Sequence, residues 1–227
     1  MRRKIYSCIT IQKELEETAK KLGCLDEINY LDPILHSDPS KMNKILQEII
    51  DSNASEENPA DEIIICVSGC GKATCNLVAS TCDIIVPRTM DCIDILLSGS
   101  GKQRPRGSIF VTSSWIKHMQ SSTICHEKLI AEKGYDDAAS LLRKIYKGFT
   151  EFYIIDTGTY DIELVKKYIM PLIEILDGKL TTIPGKFKVL EKLLSGNYDE
   201  EVIHIKKGGK LLINEFDGLR PAEIKKE

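Results

Sequence analysis

Ile63-Ile64-Ile65-Cys66-Val67-Ser68-Gly69-Cys70-Gly71 decides the fold of this chain. The run from Ile63 to Val67 has no polar face, the pattern of a strand buried on both sides in a parallel sheet. Ser68-Gly69 then break it, and a short helix is expected. Cys82 to Val86 repeats the pattern and is ended by Pro87. Upstream, Arg3 to Ile9 reads as a first strand, followed by a helix over about 11–22 that closes at Gly23. Ile28 to Leu31 is a short strand. A helix over about 39–51 has Asp38 as N-cap and Pro39 at its first position. Downstream, a helix over about 89–98, a strand Ser108 to Thr112 and a long helical region from Trp115, interrupted at Gly134, are expected. A strand Phe152 to Ile155 and a helix over about 160–176 follow. The last third has a helix near 186–195. Strands Glu201 to Ile205 and Lys210 to Ile213 flank Lys207-Gly208-Gly209, which predicts a β-hairpin. Alternating strands and helices predict an α/β protein: a doubly wound, Rossmann-like, mostly parallel sheet. Residues 1–180 would form its core, and residues 181–227 a C-terminal helix and β-hairpin extension packed on the same domain.

With 227 residues, 42% of them apolar and 29% charged, the chain has ordinary globular composition and enough length for a sizeable core. A formal net charge of −3, from 31 basic and 34 acidic residues, gives no reason to expect nucleic acid as partner. No apolar run reaches transmembrane length. Met1-Arg2-Arg3-Lys4-Ile5 leads into a strand rather than a secretory signal, so neither membrane nor export is expected. The reading is cytoplasmic, and there eight cysteines are more plausible as thiols, metal ligands or redox groups than as structural disulfides.

In an open parallel sheet, ligands bind outside the carboxyl ends of the strands. Cys8, Cys70 and Cys92 fall at or just past three such ends. Thiolates converging there can hold an iron–sulfur cluster, or alternatively zinc, while leaving one coordination position open. Unrelated, partly buried thiols are the competing reading; Cys66 and Cys82, inside apolar runs, are expected to be structural. Gly69 and Gly71 would let the backbone beside Cys70 approach a ligand closely. Pro87-Arg88-Thr89-Met90-Asp91-Cys92 puts a cation, a carboxylate and a thiol in one turn. Arg88 could clamp an anion or hold a thiolate charged; alternatively, Arg88 and Asp91 cap the helix and pair with each other. His36 follows a strand end and could reach the site, and Trp115 could wall a pocket, although loop exposure and core packing are the ordinary roles of such residues. Ser98-Gly99-Ser100-Gly101-Lys102 lacks the spacing of a phosphate loop, and neither Gly-x-Gly-x-x-Gly nor Cys-x-x-Cys occurs. A mobile loop is expected at 98–102. No catalytic residue is assigned.

Taken in order, Cys8 with Glu14-Leu15, Leu35-His36, Ser68-Gly69-Cys70-Gly71, Pro87-Arg88 through Asp91-Cys92, Leu96-Leu97 with Gly99-Ser100, and Thr112 through Trp115 resemble the Domain of Unknown Function 1638 family of anaerobic bacteria and methanogenic archaea. Asp156-Thr157-Gly158 and Leu190 to Asp199 extend the similarity to about residue 209. Ile9 and Ser114 stand where the family usually has glycine, which narrows the room near the presumed site. Members resemble proteins encoded beside corrinoid-dependent methyltransferases. The resemblance therefore implies a role in anaerobic one-carbon metabolism. On this reading the protein is a cysteine-ligated metal or iron–sulfur protein serving corrinoid methyl transfer, Cys8, Cys70 and Cys92 being ligands with His36, Arg88 and Asp91 around them. The open position would take a small molecule or pass electrons or metal to a partner. The alternative is a non-enzymatic accessory module that docks a corrinoid protein or methyltransferase.

Overall fold

The computed structural model describes residues 1–97 and 104–216, without the side chains of His36 and Cys70. The chain is a mixed α/β protein, Rossmann-like, with a mostly parallel central sheet flanked by helices. It divides into two compact units, one from the described parts of Met1–Gly99 and Lys186–Arg220, the other from those of Ser100–Gly185. None of the described helices is long and apolar enough to cross a membrane.

The first unit opens with β1 (Arg3–Ser7), α1 (Gln12–Leu22), β2 (Glu27–Tyr30) and α2 (Pro39–Ser52), then β3 (Glu62–Cys66), β4 (Asp83–Pro87) and α3 (Cys92–Leu97). The expected caps are present. Gly23 ends α1 in the left-handed region at φ 62°, its N–H donating to Ala19 O and Lys20 O. Asp38 Oδ1 accepts from Lys41 N at 3.0 Å with Pro39 at the start of α2. Every residue of β3 is buried, as its continuous apolar run requires. Ile63 and Ile65 pack with Met42, Leu46 and Ile50 of α2, while α1 carries its own buried stripe of Leu15, Thr18 and Ala19.

The second unit holds β5 (Ser108–Val111), α4 (Ser113–Ser121), α5 (His126–Lys133), α6 (Tyr135–Ile145), β6 (Glu151–Asp156), α7 (Ile162–Ile175) and β7 (Lys179–Pro184). Its strands form a parallel sheet in the order β5-β6-β7. Phe152 and Ile154 of β6 pack there with Val165, Ile169 and Leu172 of α7. The chain then returns to the first unit as α8 (Lys188–Ser195) and β8 (Val202–Ile205). Helix α8 packs on α1, and β8 pairs antiparallel with β4.

The first sheet is ordered β2-β1-β3-β4-β8, parallel except at β8. The sequence pattern reads residues 1–180 as one core, but periodicity does not reveal which sheet a strand joins, and the strands form two. The predicted C-terminal hairpin is corrected. Gly208 turns at φ 87°, yet Lys210 makes only a lone antiparallel bridge with Val78. Leu211 N donates to Leu77 O, and Ile213–Phe216 is a short 3-10 helix. Among the described residues, no second strand extends the sheet beyond β8.

Candidate functional site

Chain order in the first sheet runs outward from β1 in both directions, to β2 on one side and to β3 on the other. The crevice outside the carboxyl ends of β1 and β3 is thus the topological switch point, where doubly wound folds bind ligands. A small pocket lies among residues of that edge. Its lining comprises Cys8 after β1, Pro39 and Met42 of α2, Cys66, Val67 and Ser68 at the end of β3, Ala73, and Cys92 at the start of α3. The lining is mainly apolar, and the free space at its centre is about 10 Å³, roughly one water-sized sphere.

Cys8 is 8% exposed and starts a single 3-10 turn, Ile9–Ile11, that leads into α1. Its sulfur accepts a hydrogen bond from Thr10 Oγ1 at 3.1 Å. Cys92 is partly exposed. Asp91 Oδ1 accepts from Ile93 N at 3.0 Å and Asp94 N at 3.1 Å, while Asp94 Oδ2 accepts from Met90 N at 3.0 Å. This reciprocal cap fixes the entry to α3 and so the position of Cys92. Cys66, expected to be structural, is fully buried yet lines the same pocket. Burial, with a smaller contribution from Cys24, pushes its thiol up to about 12. The apolar run around Cys66 hid this double character, because the last residue of a buried strand belongs to both core and crevice.

The structure thus brings Cys8 and Cys92 to one pocket. The side chains of Cys70 and His36 lie outside the described residues; their backbones belong to short 3-10 turns, Cys70–Lys72 and Pro33–Ser37. Among the described residues, the one group of three ligand-type side chains with atoms within 4.8 Å of one another is Glu62, Asp83 and His204. Cys8, Cys66 and Cys92 are gathered on one pocket without being drawn onto one point.

The roles expected around the thiols divide. Gly71 does sit in a close approach, but to Pro39: a Cβ there would meet Pro39 Cγ at 2.5 Å, and φ is +53°. Gly69 leaves ordinary room, since a Cβ there would lie 3.5 Å from Phe216 Cδ1. Arg88 does not pair with Asp91; its Nη2 donates to Glu215 Oε2 at 3.3 Å. Trp115 belongs to the second unit, where it is partly buried against that unit's core and its backbone N–H donates to Thr112 Oγ1 at 3.1 Å. The stretch 98–102 lies outside the described residues.

Glu62 and Asp83 open β3 and β4, at the other ends of these strands, and are register partners. Glu62 accepts from Tyr198 Oη at 3.1 Å. Asp83 is shared by His204 Nε2 at 2.9 Å, Lys206 Nζ at 2.8 Å and Lys207 N at 2.9 Å. Burial opposes ionisation of Asp83, but these donors outweigh it and hold the carboxyl at about 2. With its carboxylates already engaged, the cluster reads as an ion-pair network fastening β8 to the sheet.

Comparison with curated proteins and with solved structures gave no match. A family model described as "Protein of unknown function (DUF1638)" matches residues 30–194, which contain the ends of β3 and β4, Cys70 and Cys92 but not Cys8. The match spans well over half of the chain, and the chain belongs to the DUF1638 family.

Proposed function

We propose that the pocket at the β1/β3 switch point is a cysteine-ligated metal site, with Cys8, Cys70 and Cys92 as ligands and Cys66 behind them. The single observation that supports it most is the lining of that pocket by three thiols from three separate segments of the chain. Sulfur donors suit zinc and iron–sulfur centres rather than hard cations. The Met42 and Val67 walls would exclude water and strengthen metal–thiolate bonding. An iron–sulfur cluster is the first candidate and zinc the alternative, since both take cysteine thiolates as ligands. All seven described cysteines are free thiols, the form in which cysteine can ligate a metal. Three protein ligands would leave an open coordination position for a small molecule, or for passing metal or electrons to a partner. Service to corrinoid-dependent methyl transfer rests on the family resemblance alone.

A second reading has one observation in its favour: the described sulfurs do not converge within coordination reach of one point. On that reading the thiols are incidental, and the protein is an accessory module docking a corrinoid protein or methyltransferase. Anaerobic purification followed by elemental analysis and an absorbance spectrum separates the two. About one zinc per chain with no visible colour, or iron with sulfide and brown absorbance, supports the metal site. Metal-free, colourless, fully folded protein that does not take up either metal supports the docking module.

A further inference from the structure

At the carboxyl end of β4, Arg88 is incompletely satisfied. Its backbone is fixed, with the N–H donating to Glu201 O at 2.9 Å. Its guanidinium makes one contact of 3.3 Å to Glu215 Oε2, and its Nε is buried without a hydrogen-bond partner. Charge-assisted N–H···O bonds are about 2.7–2.9 Å long, and arginine meets carboxylates best through two parallel N–H groups. Glu215 uses one arm of the fork, at long range, and leaves the buried arm idle. A buried donor left so is costly unless some ligand supplies the acceptor.

We infer that Arg88 is a receptor for the carboxylate of a small molecule, and that Glu215 is an internal carboxylate occupying it in the molecule's absence. The placement suits a ligand site. Arg88 follows a central strand on the ligand-binding edge of the sheet. Its neighbour Thr89 is joined to Ser68, a wall of the cysteine pocket, by a 2.6 Å bond between their hydroxyls, and Thr89 O accepts from Gly69 N at 3.1 Å. Exchange requires little movement. The side chain of Glu215 is 35% exposed and can swing outward, while Phe216 stays seated in the core against Gly69. The inference goes beyond the metal reading and does not depend on a metal being present.

The test is titration calorimetry on the full chain with malonate as the carboxylate and inorganic phosphate as the competing oxyanion. Removing the internal competitor in Glu215→Gln is expected to tighten malonate binding by about tenfold, because the receptor is then open in most molecules. Arg88→Lys, which keeps the charge but loses the fork, is expected to weaken it by about tenfold or more. Should Arg88→Lys fail to fold, as circular dichroism would show, the Glu215→Gln comparison decides alone. Equal malonate affinity in wild type and Glu215→Gln would overturn the inference and leave Arg88–Glu215 as a structural latch. Phosphate binding as tightly as malonate would overturn the carboxylate assignment. Repeating the titration in Cys8→Ser separates the two proposals: malonate binding retained there supports the Arg88 receptor whether or not the thiols hold metal.

Discussion

Cys8 and Cys66 show how two thiols on one pocket differ in surroundings. Cys8 has a hydroxyl donor on its sulfur, whereas Cys66 is enclosed and its thiol is pushed up to about 12 by burial. Burial likewise raises the thiol of Cys82. Since the thiolate is the nucleophile, native alkylation at pH 8 should modify the partly exposed Cys92 and spare Cys66 and Cys82. Mass spectrometry reads this directly, and rapid labelling of Cys66 would contradict its enclosure. His126, in the second unit, behaves in the opposite sense. It is buried against Tyr168, ring centroids 4.9 Å apart, with Nε2 unpartnered. Burial lowers its pKa from 6.5, outweighing Glu127 and the bond to the Tyr168 backbone. The folded state therefore takes up a proton less readily than the unfolded chain. The stability this contributes is present above about pH 6.5 and is lost as pH falls through the depressed folded value. His126→Phe keeps the ring contact and removes the titration, so chemical denaturation at pH 7 and pH 5 should show a smaller acid loss than wild type. An unchanged pH dependence would exclude His126 as its source. Neither behaviour is legible in sequence, where Cys66 reads as plain core and nothing marks His126 as buried.

Among the elements, β3 and β4 are the most legible because burial on both faces leaves a run of residues that nothing else in the chain imitates. The caps at Asp38 and Gly23 are equally plain, since local chemistry alone determines them. Strand β7 escapes the sequence pattern. Only Ile183 of its residues is buried, so Lys179-Leu180-Thr181-Thr182 carries no apolar run, and β-branched threonine is its one signal. The expected hairpin is absent because β8 takes β4 as its partner, leaving the segment after Gly209 to pair with Leu77 and Val78. The turn after β3 carries a real signal with a different cause. Gly71 is needed because α2's first residue, Pro39, packs against it. A methyl group there combines a left-handed backbone with a contact of only 2.5 Å to Pro39 Cγ. Gly71→Ala should destabilise by on the order of 2 kcal/mol or more, measured by denaturant unfolding. It should also displace Pro39, a wall of the pocket. A neutral Gly71→Ala would mean that α2 is not packed tightly on this turn.

For the whole molecule, the central fact is the strand order around β1 and β3. Three thiols far apart in sequence reach one pocket because β1, β3 and β4 lie side by side and parallel, which delivers their carboxyl ends to the same edge. That convergence is legible for Cys8 and Cys92 from the βαβ pattern. The division into two sheets is not, because nothing in a strand's own composition names its neighbours. The turn that starts at Cys70 comes after β3, and Cys70 is the proposed ligand on which the test turns. The most direct measurement is metal stoichiometry in anaerobically purified Cys70→Ala, alongside its thermal melt. The expectation is stoichiometric metal, iron or zinc, in wild type, loss of that metal in the variant, and an otherwise folded protein. A fully folded variant with unchanged metal content would contradict it.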